Sequence, residues 1–156
     1  MPELPEVETV RRGLVRLVKG YKIVAAHDLH PRALKPESIA PLKSIQGAKI
    51  VDLNRRGKFL WFVLDRPQVL VAHLGMSGQF LIHQQGHPRA KHIRAQFDLT
   101  KQMRKRELVF NDQRTFGWVS VEETIDSVPS SAQHIARDPF DAQFDLQETI
   151  EKFAKR

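Results

Sequence analysis

The chain has 156 residues, 41% hydrophobic and 28% charged, which is the size of one domain with a real core and too short for two independent ones. No apolar run approaches the roughly 20 residues of a membrane span, the acidic first residues are unlike a secretory signal, and the lack of cysteine excludes disulfides and thiolate zinc sites. A formal net charge of +7 and a pI near 10.0 favour an anionic partner, nucleic acid first.

From Pro5 to Lys19 the apolar residues Val7, Val10, Leu14, Leu17 and Val18 recur at helical spacing. Pro5 suits a first helical turn, Glu6 and Glu8 suit its positive end, and Arg16 and Lys19 precede a terminating Gly20, so a helix is predicted here. Short β-like runs follow at 21–26, 49–53, 59–64, 69–73, 79–83, 92–99, 107–110 and 118–121, separated by Gly, Pro and charged turns. Without crossover helices between them, an antiparallel sandwich or barrel is expected rather than parallel βαβ units. The basic runs Arg104-Lys105-Arg106 and 89–94 read as solvated turns. Leu146, Ile150 and Phe153 give a helical pattern that runs to the last residue without a Gly or Pro terminator, as if the chain continued.

The first residues also carry chemistry. Proline at position 2 normally permits removal of the initiator methionine, which leaves Pro2 with a free secondary amine. An α-amine has a pKa of about 8 against about 10.4 for lysine, so roughly a tenth of it is unprotonated at neutral pH. Such an amine can attack an anomeric carbon and form a Schiff base. Glu3 can protonate the sugar oxygen or relay protons, and Glu6, one helical turn on, can orient it. Spacing alone also admits a plainer reading in which these prolines and acids only start a helix.

The string PELPEVETVRRGL (residues 2–14) closely resembles the opening of formamidopyrimidine-DNA glycosylases, and the resemblance extends over essentially the whole chain. Asn54-Arg55-Arg56-Gly57-Lys58-Phe59-Leu60 resembles the family's turn with an active-site lysine, which makes Lys58 a proton donor in strand cleavage and a phosphate contact. His73-Leu74-Gly75-Met76-Ser77-Gly78 and Asn111-Asp112-Gln113-Arg114-Thr115-Phe116-Gly117 resemble the segments that fill the hole left by a flipped nucleotide, with Met76, Arg114 and Phe116 as the filling trio. Arg114 and Phe116 would point the same way on an extended segment. Lys91-His92 resembles a strand edge whose histidine contacts phosphate, a role His73 is expected to share. Gln113 and Arg137 stand where the family often has proline.

The resemblance implies a mainly β fold with flanking α, a two-layer antiparallel β-sandwich with an N-terminal helix and a C-terminal linker helix. Residues 1–135 would form the catalytic sandwich, and 136–156 an interdomain segment and the start of the helix leading to a helix-two-turn-helix and zinc-finger module. No cofactor is expected in this chain, since the family's zinc sits in that finger, and His83 and His87 are poorly placed for an internal zinc site. The implied function is bacterial, cytoplasmic base-excision repair: removal of 8-oxoguanine and formamidopyrimidines from damaged double-stranded DNA through a Schiff base on Pro2, then β,δ-elimination, by a monomer that meets no membrane. The competing expectation is a non-catalytic DNA-binding fragment that needs the C-terminal module for activity. A general single-strand binder would need aromatics spaced along a basic sheet, and most Phe residues here occupy core-like positions.

Overall fold

The structure, a computed structural model, describes residues 4–114 and 117–135, with side chains from Glu6 onward. Among the described residues the one α-helix, α1 (Leu4–Val18), buries Val7, Leu14 and Val18 on one face. Leu17, expected on that face, is instead 39% exposed because it lies roughly 80° around the helix from that line. The helix stops where Gly20 takes a left-handed φ of 87° and donates its N–H to the Ile50 carbonyl. The predicted helix at 146–153 and Arg137 lie outside the described residues.

Each of the eight β-like runs is a strand: β1 (Lys22–Asp28), β2 (Ile50–Arg56), β3 (Phe59–Leu64), β4 (Val69–His73), β5 (Gly78–Gln84), β6 (Ile93–Lys101), β7 (Arg104–Asp112) and β8 (Trp118–Glu122). They form two sheets, ordered β1-β6-β7-β5 and β2-β3-β4-β8, and every strand pairing within them is antiparallel. Arg104-Lys105-Arg106, read as a solvated turn, is instead the start of β7. The turn is only Gln102 and Met103, which connect the paired residues Lys101 and Arg104. A small hairpin follows, β9 (Thr124–Ile125) and β10 (Val128–Pro129), turning through Asp126 and Ser127, both at positive φ.

Period-two alternation builds the core. Leu60, Phe62 and Leu64 of β3 face Phe80, Phe97 and Phe110 of the other sheet within one buried cluster, and Phe62 meets Phe80 edge to face at 5.5 Å. The alternate residues of β3, Phe59, Trp61 and Val63, form a second cluster with Val69, Val71 and Trp118, roofed by Val128 and Ala132. That covering explains why β3 reads as an unbroken apolar run.

The topology gathers one set of strand ends. The last residues of β2, β4 and β7 and the first of β3, β5 and β8 lie at one end of the sandwich, as the pairs Arg56↔Phe59, His73↔Trp118 and Gly78↔Asp112 show. The chain passes from sheet to sheet there twice, through 74–77 and through 113–117. The C-terminus of α1 sits at the opposite end, where the Leu17 carbonyl accepts from Arg106 near the start of β7, so α1 begins at the end with the crossings.

Candidate functional site

A cleft of about 420 Å³ opens at this end between the start of α1 and the β4–β5 crossing, lined by Glu6, Val10, Leu74, Met76, Ser77 and Phe80 among others. Glu6 and Met76, proposed from sequence for different jobs, therefore share one cleft. Met76 is 45% exposed despite its apolar side chain. The crossing is tight: a Cβ on Gly78 would come within 2.4 Å of the Leu74 carbonyl oxygen, so only glycine allows the backbone to return here.

Arg114 lies beside that crossing through its backbone, with its N–H directed at both the Ser77 hydroxyl and an Asp112 carboxylate oxygen at 3.2 Å. Gln113 and Arg114 form a bend rather than an extended strand, so the alternation expected to aim Arg114 does not apply to them. His92 is half-buried just before β6, and its carbonyl accepts the Asp112 N–H at 3.0 Å, which brings it to the same end. Pro2, Glu3 and Phe116 lie outside the described residues.

Lys58 follows Gly57 in the β2–β3 turn, and Phe59 places the turn beside His73 by direct strand pairing. The His73 ring meets Phe59 edge-on at 5.0 Å and stacks on Trp118 at 5.8 Å, while the Lys35 ammonium sits 4.3 Å over the Trp118 ring. The Gly75 N–H donates to His73 Nδ1 at 3.0 Å, which leaves the proton of the neutral ring on Nε2 as a donor. Burial, then the charges of Lys58 and Lys35, hold the His73 pKa below the ordinary 6.5. Lys58→Gln is therefore expected to raise that pKa toward 6.5, read by NMR titration of the ring. An unchanged titration would mean that the Lys58 charge does not reach His73.

Two groups at this end were not singled out from the sequence. Asp112, fully buried, accepts from the Ser77 hydroxyl at 2.6 Å and the Gly117 N–H at 2.7 Å, and so ties the two crossings together. Glu8, expected only to favour the helix N-terminus, is 3% exposed and receives three guanidinium groups: Arg11, Arg12 and, from β2, the buried Arg55. Burial alone would raise the Glu8 carboxyl, but the hydrogen bonds from Arg11, Arg55 and Arg12 outweigh it and hold the pKa at about 2. The visible signal was the Glu8, Arg11, Arg12 spacing, which puts both arginines one helical turn from the acid. Elsewhere, the His83 and His87 rings stack at 3.9 Å, and no three His, Asp or Glu side chains among the described residues are grouped to hold a metal. Among those residues no helix is long and apolar enough to cross a membrane.

Residues 1–119 match the family model described as the formamidopyrimidine-DNA glycosylase N-terminal domain. The chain is 46% identical to a formamidopyrimidine-DNA glycosylase of Acidothermus cellulolyticus across its full length and 55% of that protein, and 45% identical to one of Rhodococcus jostii across 96% of the chain and 53% of that protein. It spans about half the length of these relatives. Among solved structures it is similar to Lactococcus lactis Fpg in complex with DNA containing an abasic site, with TM-score 0.71 and 33% identity over 78% of this chain and 44% of that one. The same protein bound to DNA containing an oxidised pyrimidine gives TM-score 0.70 at 32% identity, over 79% and 45% of the two chains. The sandwich, its N-terminal helix and the matched sequence agree: this chain belongs to the formamidopyrimidine-DNA glycosylase family.

Proposed function

We propose that this chain is the catalytic half of a bifunctional DNA glycosylase and abasic-site lyase of base-excision repair, acting on oxidised purines in double-stranded DNA. The observation that carries the reading is the gathering of Glu6, Lys58, His73, Met76 and Arg114 at the one end of the sandwich where α1 begins. In this reading residues 1–135 form the catalytic unit and 136–156 lead toward a separate DNA-gripping module, which would hold any zinc.

The Pro2 amine attacks C1′ of a flipped nucleotide, the glycosidic bond breaks and the base leaves, with Glu3 delivering a proton to the sugar oxygen as the ring opens to an iminium ion. Loss of the C2′ proton then expels the 3′ phosphate, and a second elimination expels the 5′ phosphate, with Lys58 supplying a proton. Met76, Arg114 and Phe116 occupy the gap left in the stack, offsetting an unstacking cost of a few kcal/mol. Lys58, His73 and His92 contact backbone phosphate, which fixes register without reading sequence.

Borohydride trapping of the untagged chain on a duplex with an abasic site, with mass spectrometry of the adduct, tests this reading. A covalent adduct on Pro2 is expected, lost on N-terminal extension, which turns the amine into an amide. A folded chain with Met1 removed and no adduct would leave only a non-catalytic DNA-binding fragment.

A further inference from the structure

Glu8 belongs to neither the cleft lining nor the phosphate contacts, yet among the described residues it is the most heavily bonded carboxylate at this end of the molecule. One of its oxygens accepts from Arg55 Nε at 3.0 Å and Arg11 Nε at 2.9 Å; the other accepts from Arg11 and Arg12 at 2.7 Å. Two further bonds carry this node into the sheet. Arg11 donates to the Leu53 carbonyl at 3.2 Å, and Arg55 donates its second arm to the Gly57 carbonyl at 2.8 Å.

The Gly57 bond matters most. Gly57 sits at φ 59° immediately before Lys58, so the Arg55 guanidinium holds one arm on the helix and the other on the turn that presents the lysine. Its side chain is 0% exposed and that of Glu8 4%, so water competes little for these bonds. The route from the helix start to the lysine turn is thus short and rigid: α1, Glu8, Arg55, the Gly57 carbonyl, Lys58. Simple helix stabilisation would need Glu8 only to meet Arg11 and Arg12 along its own helix, and would not need the strand arginine.

From this geometry we infer that Glu8 and Arg55 are positioning residues that fix the Lys58 turn relative to the start of α1. The inference rests on the function proposed above for Pro2 and Lys58, but the bonding between helix and turn stands apart from that chemistry. Arg55→Lys is the informative variant: it keeps a cation for Glu8, but a single ammonium cannot bond to both Glu8 and the Gly57 carbonyl with the guanidinium's geometry. Glu8→Gln removes the charge and keeps the shape.

The test is made on the full chain well below each variant's melting temperature, with two readouts. The first is the single-turnover rate of borohydride-trapped adduct and of strand cleavage at saturating abasic duplex, measured beside the DNA Kd. The second is the backbone amide NMR of Gly57 and Lys58. Arg55→Lys is expected to slow the saturated reaction at least tenfold with the Kd within twofold, and to shift and broaden the two amides while β6 and β7 resonances stay in place. Unmoved amides, or a full saturated rate in a variant that only melts earlier, would overturn the inference. Displaced amides in a protein whose parent chain forms no adduct would uphold the bracing of the turn and overturn the catalytic reading instead. If Glu8→Gln does not fold, Arg55→Lys decides alone.

Discussion

Asp112→Ala is expected to lower the free energy of unfolding by about 3 kcal/mol, because buried donors left without an acceptor cost about 1–3 kcal/mol each. The donors are specific: the Ser77 hydroxyl and the Gly117 N–H, with the Arg114 N–H adding a longer bond. A Cβ on Gly117 would lie 2.7 Å from Phe110 and 2.9 Å from the Asp112 carboxylate, so the loop is already drawn against its acceptor. Ser77→Ala should cost only about 1 kcal/mol, since Asp112 keeps the Gly117 bond. Urea unfolding measures both. A loss under 1 kcal/mol for Asp112→Ala would show that the crossings hold without it. Because Asp112 joins the crossing with Met76 to the one with Arg114, the same variant is also expected to weaken the fluorescence change of a 2-aminopurine placed next to a lesion more than it weakens DNA binding.

Replacing Glu8 with glutamine is expected to cost about 3–5 kcal/mol at neutral pH, the range for removing one partner of a buried ion pair and stranding the other. Arg55 and Arg11, both largely buried, lose their ion pair with Glu8, whereas Arg12 is largely exposed. The pH dependence gives a sharper check. The folded pKa of about 2 lies below the ordinary 4.5, so Glu8 contributes stability above pH 4.5 that is lost as the pH falls toward 2. A shift of that size corresponds to roughly 3 kcal/mol. The stability gap between the parent chain and Glu8→Gln should therefore be widest at pH 6–7 and close progressively below pH 4.5. A gap of constant size from pH 7 to pH 2.5 would refute a depressed Glu8.

Most of the fold was legible because its signals are local. Turn residues and alternating β-branched or aromatic positions marked the strands, and Gly20 marked the helix end. What escaped depends on tertiary context. The hairpin at β9 and β10 is only two residues a side, too short for a periodic signal, and its reason to form is the outer face of β3 that it covers. The start of β7 was missed because three consecutive cations look solvated, although Arg106 spends its charge on the Leu17 carbonyl and the Tyr21 ring. At the site, Glu6 was named by its place one helical turn after Glu3 and Lys58, His73 and Met76 by resemblance, and the strand order explains why residues so far apart in sequence meet. Asp112 was quoted in a motif without a role, since nothing local says that a carboxylate will be wholly buried. Glu8 was misread for the same reason: its two neighbours on the helix are visible in sequence, but Arg55 comes from another element.

Gly57 is constrained twice. Its φ of 59° excludes most side chains by backbone strain, and a Cβ there would lie 3.0 Å from the Ile135 methyl. Positions 57 and 135 thus share one volume, so drift at either is limited by the other. A larger residue at 135 would press on the backbone next to Lys58, and a smaller one would leave the turn less supported. In any set of related chains, the size of residue 135 should track the identity of residue 57 more closely than that of its own sequence neighbours.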